Sequence, residues 1–329
     1  MMVWEILAVV GGLALLVWSA DRFVDGAAAT ARHIGISPLL IGMVVIGFGT
    51  SAPEIVVSLF SALEGNPGLA LGNAYGSNIA NIALILGTTA LLKPITVESQ
   101  VLRRELPVLL AVTLLAWWLL ADGDFSRGDG LLQLLLFLLL LVAAIRFSRG
   151  GTRSEDALAT ETDAEAAEMA LPAAIRWLII GLLLLIAASR LVVWGAIGIA
   201  TTLGVSDLII GLTVVAIGTS LPELAAGISA VRKNEHDLAL GNIIGSNLFN
   251  TLLVAGIAGS VAPHSIDPAL LSRDLPLLAA LTLLLMVMAI GIRGPGRINR
   301  VEGSLLLLIF GSYTSWLIFE VVQSNALTQ

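Results

Sequence analysis

Residues 69–81 read LALGNAYGSNIAN, and residues 238–250 read LALGNIIGSNLFN. At the same offset of 169 positions Gly26 falls on Gly195, and IGISPLLIG at 34–42 falls on LGVSDLIIG at 203–211. Arg104, Glu105, Leu106 and Pro107 likewise meet Arg273, Asp274, Leu275 and Pro276. Between 48–87 and 217–256, 16 of 40 positions are identical, most of them Gly, Ser, Thr, Asn, Pro or Glu. Greasy segments alike by chance share Leu and Ala. Sharing the polar residues marks an internal repeat, so the fold is one unit built twice.

That unit belongs in a membrane. The 329 residues are 57% hydrophobic and 12% charged, against roughly 25% charged in a soluble domain. Apolar segments fall at about 3–20, 36–63, 68–92, 105–121, 130–147, 172–193, 205–231, 238–261, 274–292 and 302–323. Runs of about 20 residues read as helices, not barrel strands. The expectation is an all-α integral membrane protein of ten transmembrane helices, five per repeat. Five is odd, so the second copy enters the membrane from the opposite side. This inverted-topology repeat is the plan of secondary transporters. The first repeat covers 1–147 and the second 172–329, with a linker at 148–171. The linker is polar and acidic, but the spacing and glycine of an EF-hand calcium loop are missing. The first apolar run lacks the positive flank and cleavage site of a secretory signal, so it reads as a retained first helix.

Lys and Arg set the orientation. Of the 17, all but Arg127, Arg190 and Arg273 follow odd-numbered spans. That places the linker in the cytoplasm and both termini outside, in a multi-pass protein of the cell inner (plasma) membrane.

The chemistry lies in the repeated polar residues. With no cysteine, no disulfide, thiolate ligand or thiol nucleophile is available. His33, His236 and His264 fall near predicted loops, which leaves a His-based metal site little support. Glu54 and Glu223, in contrast, sit inside apolar segments, in GTSAPE at 49–54 and GTSLPE at 218–223. A carboxylate at mid-membrane is costly unless paired, protonated or metal-bound. No Lys or Arg lies within a span where it could reach either one, except near the ends. Thr50 and Ser51 precede Glu54 by four and three residues, which puts all three on one helix face. Pro53 lacks an amide hydrogen and is expected to break the helix near Gly49, freeing carbonyls including that of Gly47. Ala216, Thr219, Ser220 and Pro222 stand equivalently to Glu223. Hydroxyls, carbonyls and a carboxylate make an all-oxygen ligand set for a hard cation.

In the following span Asn73, Ser77 and Asn81 recur every four residues, as do Asn242, Ser246 and Asn250. Asn73, Asn78, Asn242 and Asn247 are read as interhelical glue, and Ser77, Asn81, Ser246 and Asn250 as ligands. Gly72, Gly76, Gly241 and Gly245 are expected to let backbones approach closely. Two facing glutamates hold two negative charges, which one Ca2+ or two Na+ would neutralise. Competition for shared carboxylates is a physical basis for counter-transport.

At these residues the sequence resembles the calcium/cation antiporter superfamily, the sodium/calcium exchangers, in its bacterial branch. GTSAPE with GNAYGSNIAN and GTSLPE with GNIIGSNLFN look like its paired repeats. The resemblance implies a core of the second, third, seventh and eighth helices, with the first and sixth sliding across it. It implies ligands at Thr50, Ser51, Glu54, Ser77, Asn81, Thr219, Ser220, Glu223, Ser246 and Asn250, with backbone carbonyls of Gly47 and Ala216. Glu54 and Glu223 would bridge a Ca2+ site and flanking Na+ sites. Many family members carry Asp where this chain has Asn250. That departure bears on potassium and proton dependence.

The expected function is antiport of Na+ against Ca2+ by alternating access, with Ca2+ (or another divalent cation) against H+ as the alternative. The implied partners are these ions and the lipid bilayer. No cofactor, nucleic acid or enzymatic activity is expected, and the linker is too short for a regulatory calcium-binding domain.

Overall fold

The computed structural model describes residues 2–35, 37–65, 67–98, 101–150, 169–202, 216–290 and 296–327. Nearly all of them are helical. The helices are α1 (Met2–Ile34), α2 (Leu39–Thr50), α3 (Ala52–Leu63), α4 (Pro67–Leu92), α5 (Leu106–Leu119) and α6 (Arg127–Gly150). Then come α7 (Leu171–Thr202), α8 (Ala216–Thr219), α9 (Leu221–Arg232), α10 (His236–Val261), α11 (Leu275–Met288) and α12 (Arg300–Leu327). Seven stretches are long and apolar enough to cross a membrane, or eight with α2 and α3 counted as one bent span. This is a multi-pass membrane protein. Much of the expected linker, and the start of the segment expected at 205, lie outside the described residues.

Two helices outrun their expected spans. The first apolar run ends near residue 20, yet α1 continues to Ile34 through Asp21, Arg22, Asp25 and Arg32. Strong helix formers such as Ala27, Ala28 and Ala29 carry it on, and its charges find partners. Lys233 Nζ reaches Asp25 Oδ1 at 2.6 Å, and Ser229 Oγ donates to Asp21 Oδ1 at 2.6 Å. Arg22 packs over Trp18 and Trp177. The α7 helix likewise runs past 193 to Thr202.

Equivalent helices of the two halves pack in opposite directions. On α1, Gly26 meets the backbone of Leu178 and Gly12 meets Val192; on α7, Gly195 meets Glu5. As α1 advances, its partners on α7 recede, so the two are antiparallel. The same holds at the centre, where Asn81 reaches Asn247 and Asn78 reaches Thr251. The α2–α10 pair is parallel: Gly42 touches Leu238, and Gly47 touches Ser246. Without a hydrophobic drive between helices in lipid, such packing depends on small residues at the contact. Gly245 is the tightest of these, since a Cβ there would stand 2.2 Å from the Met43 carbonyl oxygen. A Cβ at Gly72 or Gly76 would have no described neighbour beyond its own helix backbone within 4 Å. Their counterpart partners, near 208–216, fall mostly outside the described residues.

Local signals explain how the inner helices start and stop. The α3 helix ends at Gly65, whose φ of +82° is cheap only without a side chain. Its counterpart after α9 is Asn234 at φ +63°, the residue type that next best tolerates that region. Wider π-helical turns occupy Ala80–Leu86 and Phe249–Val254, again at matching positions.

Two short antiparallel ribbons tie distant loops together. Strand β1 (Ile95–Val97) pairs with β4 (Gly296–Ile298), and β2 (Asp124–Phe125) pairs with β3 (His264–Ser265). The β1–β4 end also gathers Arg32 on Glu235, Lys93 on Asn234 and Arg300 on the Leu92 carbonyl. The opposite end holds Arg273 against Asp274 and Glu320.

Candidate ion-binding site

The site lies where α2 and α3, α8 and α9, α4 and α10 converge. Both bent helices break at a serine. Ser51 has φ −81° and ψ 4°, and Ser220 has φ −89° and ψ 5°. Each is followed by a proline in the first turn of the next half-helix, where its missing amide hydrogen costs nothing. The bend between α2 and α3 is 46°. Glu54 and Glu223 therefore occupy the first turn of α3 and α9, the positive end of each half-helix dipole. Both are buried, and among the described residues no salt bridge reaches either.

The hydroxyls expected to share a face with Glu54 reach across to the other half. Ser51 Oγ donates to Glu223 Oε1 at 3.2 Å. Thr50 Oγ1 contacts its own backbone at Ile46 O, 3.0 Å, and Asn242 Oδ1 at 3.1 Å. The break at Ser51 separates these hydroxyls from Glu54, which is why face-sharing on one straight helix fails. The Gly47 carbonyl is not freed either. It accepts the Ser51 amide at 3.1 Å, and the Ser246 hydroxyl approaches it at 3.5 Å. The Thr50 hydroxyl also lies 3.5 Å from it, so a ligand there would displace one of these long hydroxyl contacts.

The asparagines divide by role. Asn73 Nδ2 donates to the Glu54 carbonyl at 3.2 Å, and Asn242 Nδ2 to the Glu223 carbonyl at 3.3 Å. These equivalent bonds fasten each glutamate's backbone to the following helix. Asn78 and Asn247 also bond across helices. Asn81 and Asn250 each sit second in a π-helical turn, a distortion frequent at functional sites. Ser77 and Ser246 are buried one turn earlier. Thr219 is half-buried at the end of α8, and Ala216 opens that helix.

Both carboxylate oxygens of Glu54, Oε2 of Glu223, Oδ1 of Asn81, Oδ1 of Asn250 and Oγ of Ser220 are buried without a hydrogen-bond partner. Buried polar atoms are normally satisfied, and leaving one bare costs about 1–3 kcal/mol. All these oxygens suit a hard cation. Among the described residues no three His, Asp or Glu side chains gather to hold a metal, so neutral oxygens must complete any coordination.

Comparison with known proteins identifies the family. The family described as sodium/calcium exchanger protein matches residues 4–146 and 173–319. The chain belongs to that family. It is a cation antiporter of the membrane, and not an enzyme. The exchanger is 48% identical over 265 residues to the inner membrane protein YrbG of Escherichia coli, covering 80% of this chain and 82% of YrbG. It is 30% identical to the sodium/calcium exchanger MaX1 of Methanosarcina acetivorans, over 92% of this chain and 95% of MaX1. Solved structures of the sodium-calcium exchanger NCX_Mj superpose with a TM-score of 0.82 at 31% identity, covering 98% of this chain and 100% of that one. NCX_Mj was soaked with Na+ and Sr2+, or with Na+ and Ca2+, among other conditions.

Proposed function

We propose that this exchanger moves Ca2+ against Na+ by alternating access, at one central site shared by its two halves. The observation that carries this is the Ser51–Glu223 hydrogen bond, with both oxygens of Glu54 and Oε2 of Glu223 buried and without a partner. One residue from each half's GTSxPE segment thus meets at a single locus. Two carboxylates are neutralised by one Ca2+ or two Na+, so one ion set excludes the other. Left empty, two like charges at low dielectric repel strongly, which opposes switching without cargo.

The proposed ligands are Thr50, Ser51, Glu54, Ser77 and Asn81 from the first half, and Thr219, Ser220, Glu223, Ser246 and Asn250 from the second. Backbone carbonyls of Gly47 and Ala216 complete the set. The burial and orphaned oxygens of many of these residues support it, as does the likeness to NCX_Mj soaked with Na+, Sr2+ and Ca2+.

The proposed architecture is ten helices in two inverted repeats, 1–147 and 172–329, joined by a cytoplasmic linker at 148–171. Antiparallel packing of α1 with α7 and of α4 with α10 supports the inversion. Clustering of Arg32, Lys93, Lys233, Arg297 and Arg300 at the β1–β4 end supports a cytoplasmic face there. Both termini are then external.

The test is Ca2+ flux in proteoliposomes under a Na+ gradient with pH clamped on both sides. Flux that follows the Na+ gradient is expected. Flux that follows only a pH gradient would assign Glu54 and Glu223 to protons and overturn the Na+ half of the proposal.

A further inference from the structure

At the inner asparagines the two halves differ in one pair of buried contacts. Asn81 and Asn250 are repeat counterparts, as are Asn78 and Asn247. In one direction Asn81 Nδ2 donates to Asn247 Oδ1 at 3.1 Å. This anchors the nitrogen end of the Asn81 amide and leaves its Oδ1 buried and unpartnered. The mirror contact would run from Asn250 Nδ2 to Asn78 Oδ1. It is not made, and both of those atoms are buried with no partner. Asn78 turns its Nδ2 instead to Thr251 Oγ1 at 2.7 Å. Thr251 is fully buried. Its counterpart in the first half is Ile82, which has no hydroxyl to offer. One residue therefore accounts for the asymmetry.

We propose that Thr251 is a positioning residue: by engaging Asn78 it leaves the Asn250 amide unanchored, so that Asn250 is the adjustable ligand of the cation site and Asn81 the fixed one. This rests on the reading that both asparagines are ligands. An amide free to turn presents its oxygen to a cation and its nitrogen to a bare carboxylate oxygen, and both oxygens of Glu54 and Oε2 of Glu223 lack a donor. A fixed ligand is preorganised and binds more tightly. A carrier must also release its cargo, so one adjustable ligand trades affinity for turnover.

The test removes the hydroxyl without changing volume. Thr251→Val returns Asn78 to Asn250 and anchors it as Asn81 is anchored. Calorimetric titration of the purified protein with CaCl2 is expected to show binding about three- to tenfold tighter than wild type, with a lower maximal flux in proteoliposomes. Thr251→Ser keeps the hydroxyl and is expected to behave as wild type. In the Asn250→Ala background Thr251→Val is expected to have no further effect. Unchanged or weaker Ca2+ binding in folded Thr251→Val overturns the inference, and so does an equal shift in the Asn250→Ala background. If the wild type binds neither Ca2+ nor Na+, the proposed function fails and this inference falls with it. If the wild type binds both and Thr251→Val changes nothing, only this inference fails.

Discussion

Ser51 and Glu223, 172 positions apart in the chain, share a hydrogen bond of 3.2 Å in the interior of the protein. The hydroxyl comes from one broken helix and the carboxylate from the other. The contact thus forms only when both halves are folded together, and a side chain of one half sets the surroundings of the other's carboxylate.

Glu54→Gln and Glu223→Gln are each expected to abolish Ca2+ transport while leaving a folded protein. A unit charge 4 Å from a cation is worth about 4 kcal/mol per unit of cation charge at an effective dielectric of 20, which is about three orders of magnitude in affinity. Losing a buried charge carries no stability penalty of its own. Proteoliposome flux and thermal melting of the same preparations check both halves of this expectation; near-normal flux in either variant would remove that glutamate from the site.

The two serines at the helix breaks should behave differently without ions. Ser51 already donates to Glu223, whereas Ser220 Oγ has no partner. Ser51→Ala is expected to destabilise the ion-free protein by about 2 kcal/mol, the usual worth of a hydrogen bond to a charged group. Ser220→Ala is expected to leave the ion-free melting temperature unchanged and to weaken only the gain on adding Ca2+. Melting curves with and without CaCl2 separate the two.

Gly245→Ala places a methyl group 2.2 Å from the Met43 carbonyl oxygen and 2.6 Å from Met43 Cα. Backbone cannot rotate away as a side chain can, so α2 must shift. A loss of about 3 kcal/mol is expected, together with weaker ion binding, because Gly47 and Thr50 lie farther along the same helix. Gly11→Ala, with no described residue within 4 Å, serves as the control and should be nearly neutral in a stability assay.

Asn250→Asp adds a third carboxyl to a buried site that already holds two. A carboxylate must lose its proton to bind a cation, so protons and cations compete for it. Cation binding in this variant is expected to strengthen as pH rises, more steeply than in wild type. Titration with CaCl2 at several pH values checks this; parallel pH profiles would place residue 250 away from the cation.

The absence of cysteine makes topology easy to read chemically. Thr96→Cys lies in β1 and Pro268→Cys at the start of the helical stretch after β3, both at exposed positions. In intact cells an impermeant maleimide is expected to label Pro268→Cys and to spare Thr96→Cys until the membrane is opened. The reverse pattern would invert the proposed orientation.

Much of this arrangement is legible in the sequence because the repeat preserves polar residues that a membrane would otherwise exclude. Glu54, Glu223 and the flanking hydroxyls announce themselves by cost alone. What hides is geometry. Pro53 and Pro222 signal a break, but not that it falls two residues earlier, at Ser51 and Ser220. The Ser51 hydroxyl consequently points to the other half, and that of Thr50 is shared between its own helix and Asn242. The reach of α1 to Ile34 is obscured because Asp21 and Asp25 look like a loop until Ser229 and Lys233 arrive from distant sequence to pair with them. The π-helical turns at Asn81 and Asn250 have no compositional mark. Thr251 could have been noticed by asking where the repeats differ, rather than where they agree.

The ribbons have a mechanical consequence. Strand β1 follows α4 and pairs with β4, which leads into α12; β2 precedes α6 and pairs with β3, which follows α10. Each ribbon crosses from one half to the other, and they sit at opposite ends of the molecule. Rocking one entire half against the other would tear both seams. The ribbons thus join the two halves at both ends, and under the proposed alternating access the moving part is smaller than a whole half. The antiparallel pair α1 and α7 supplies no strand to either ribbon, and we propose it as the part that moves.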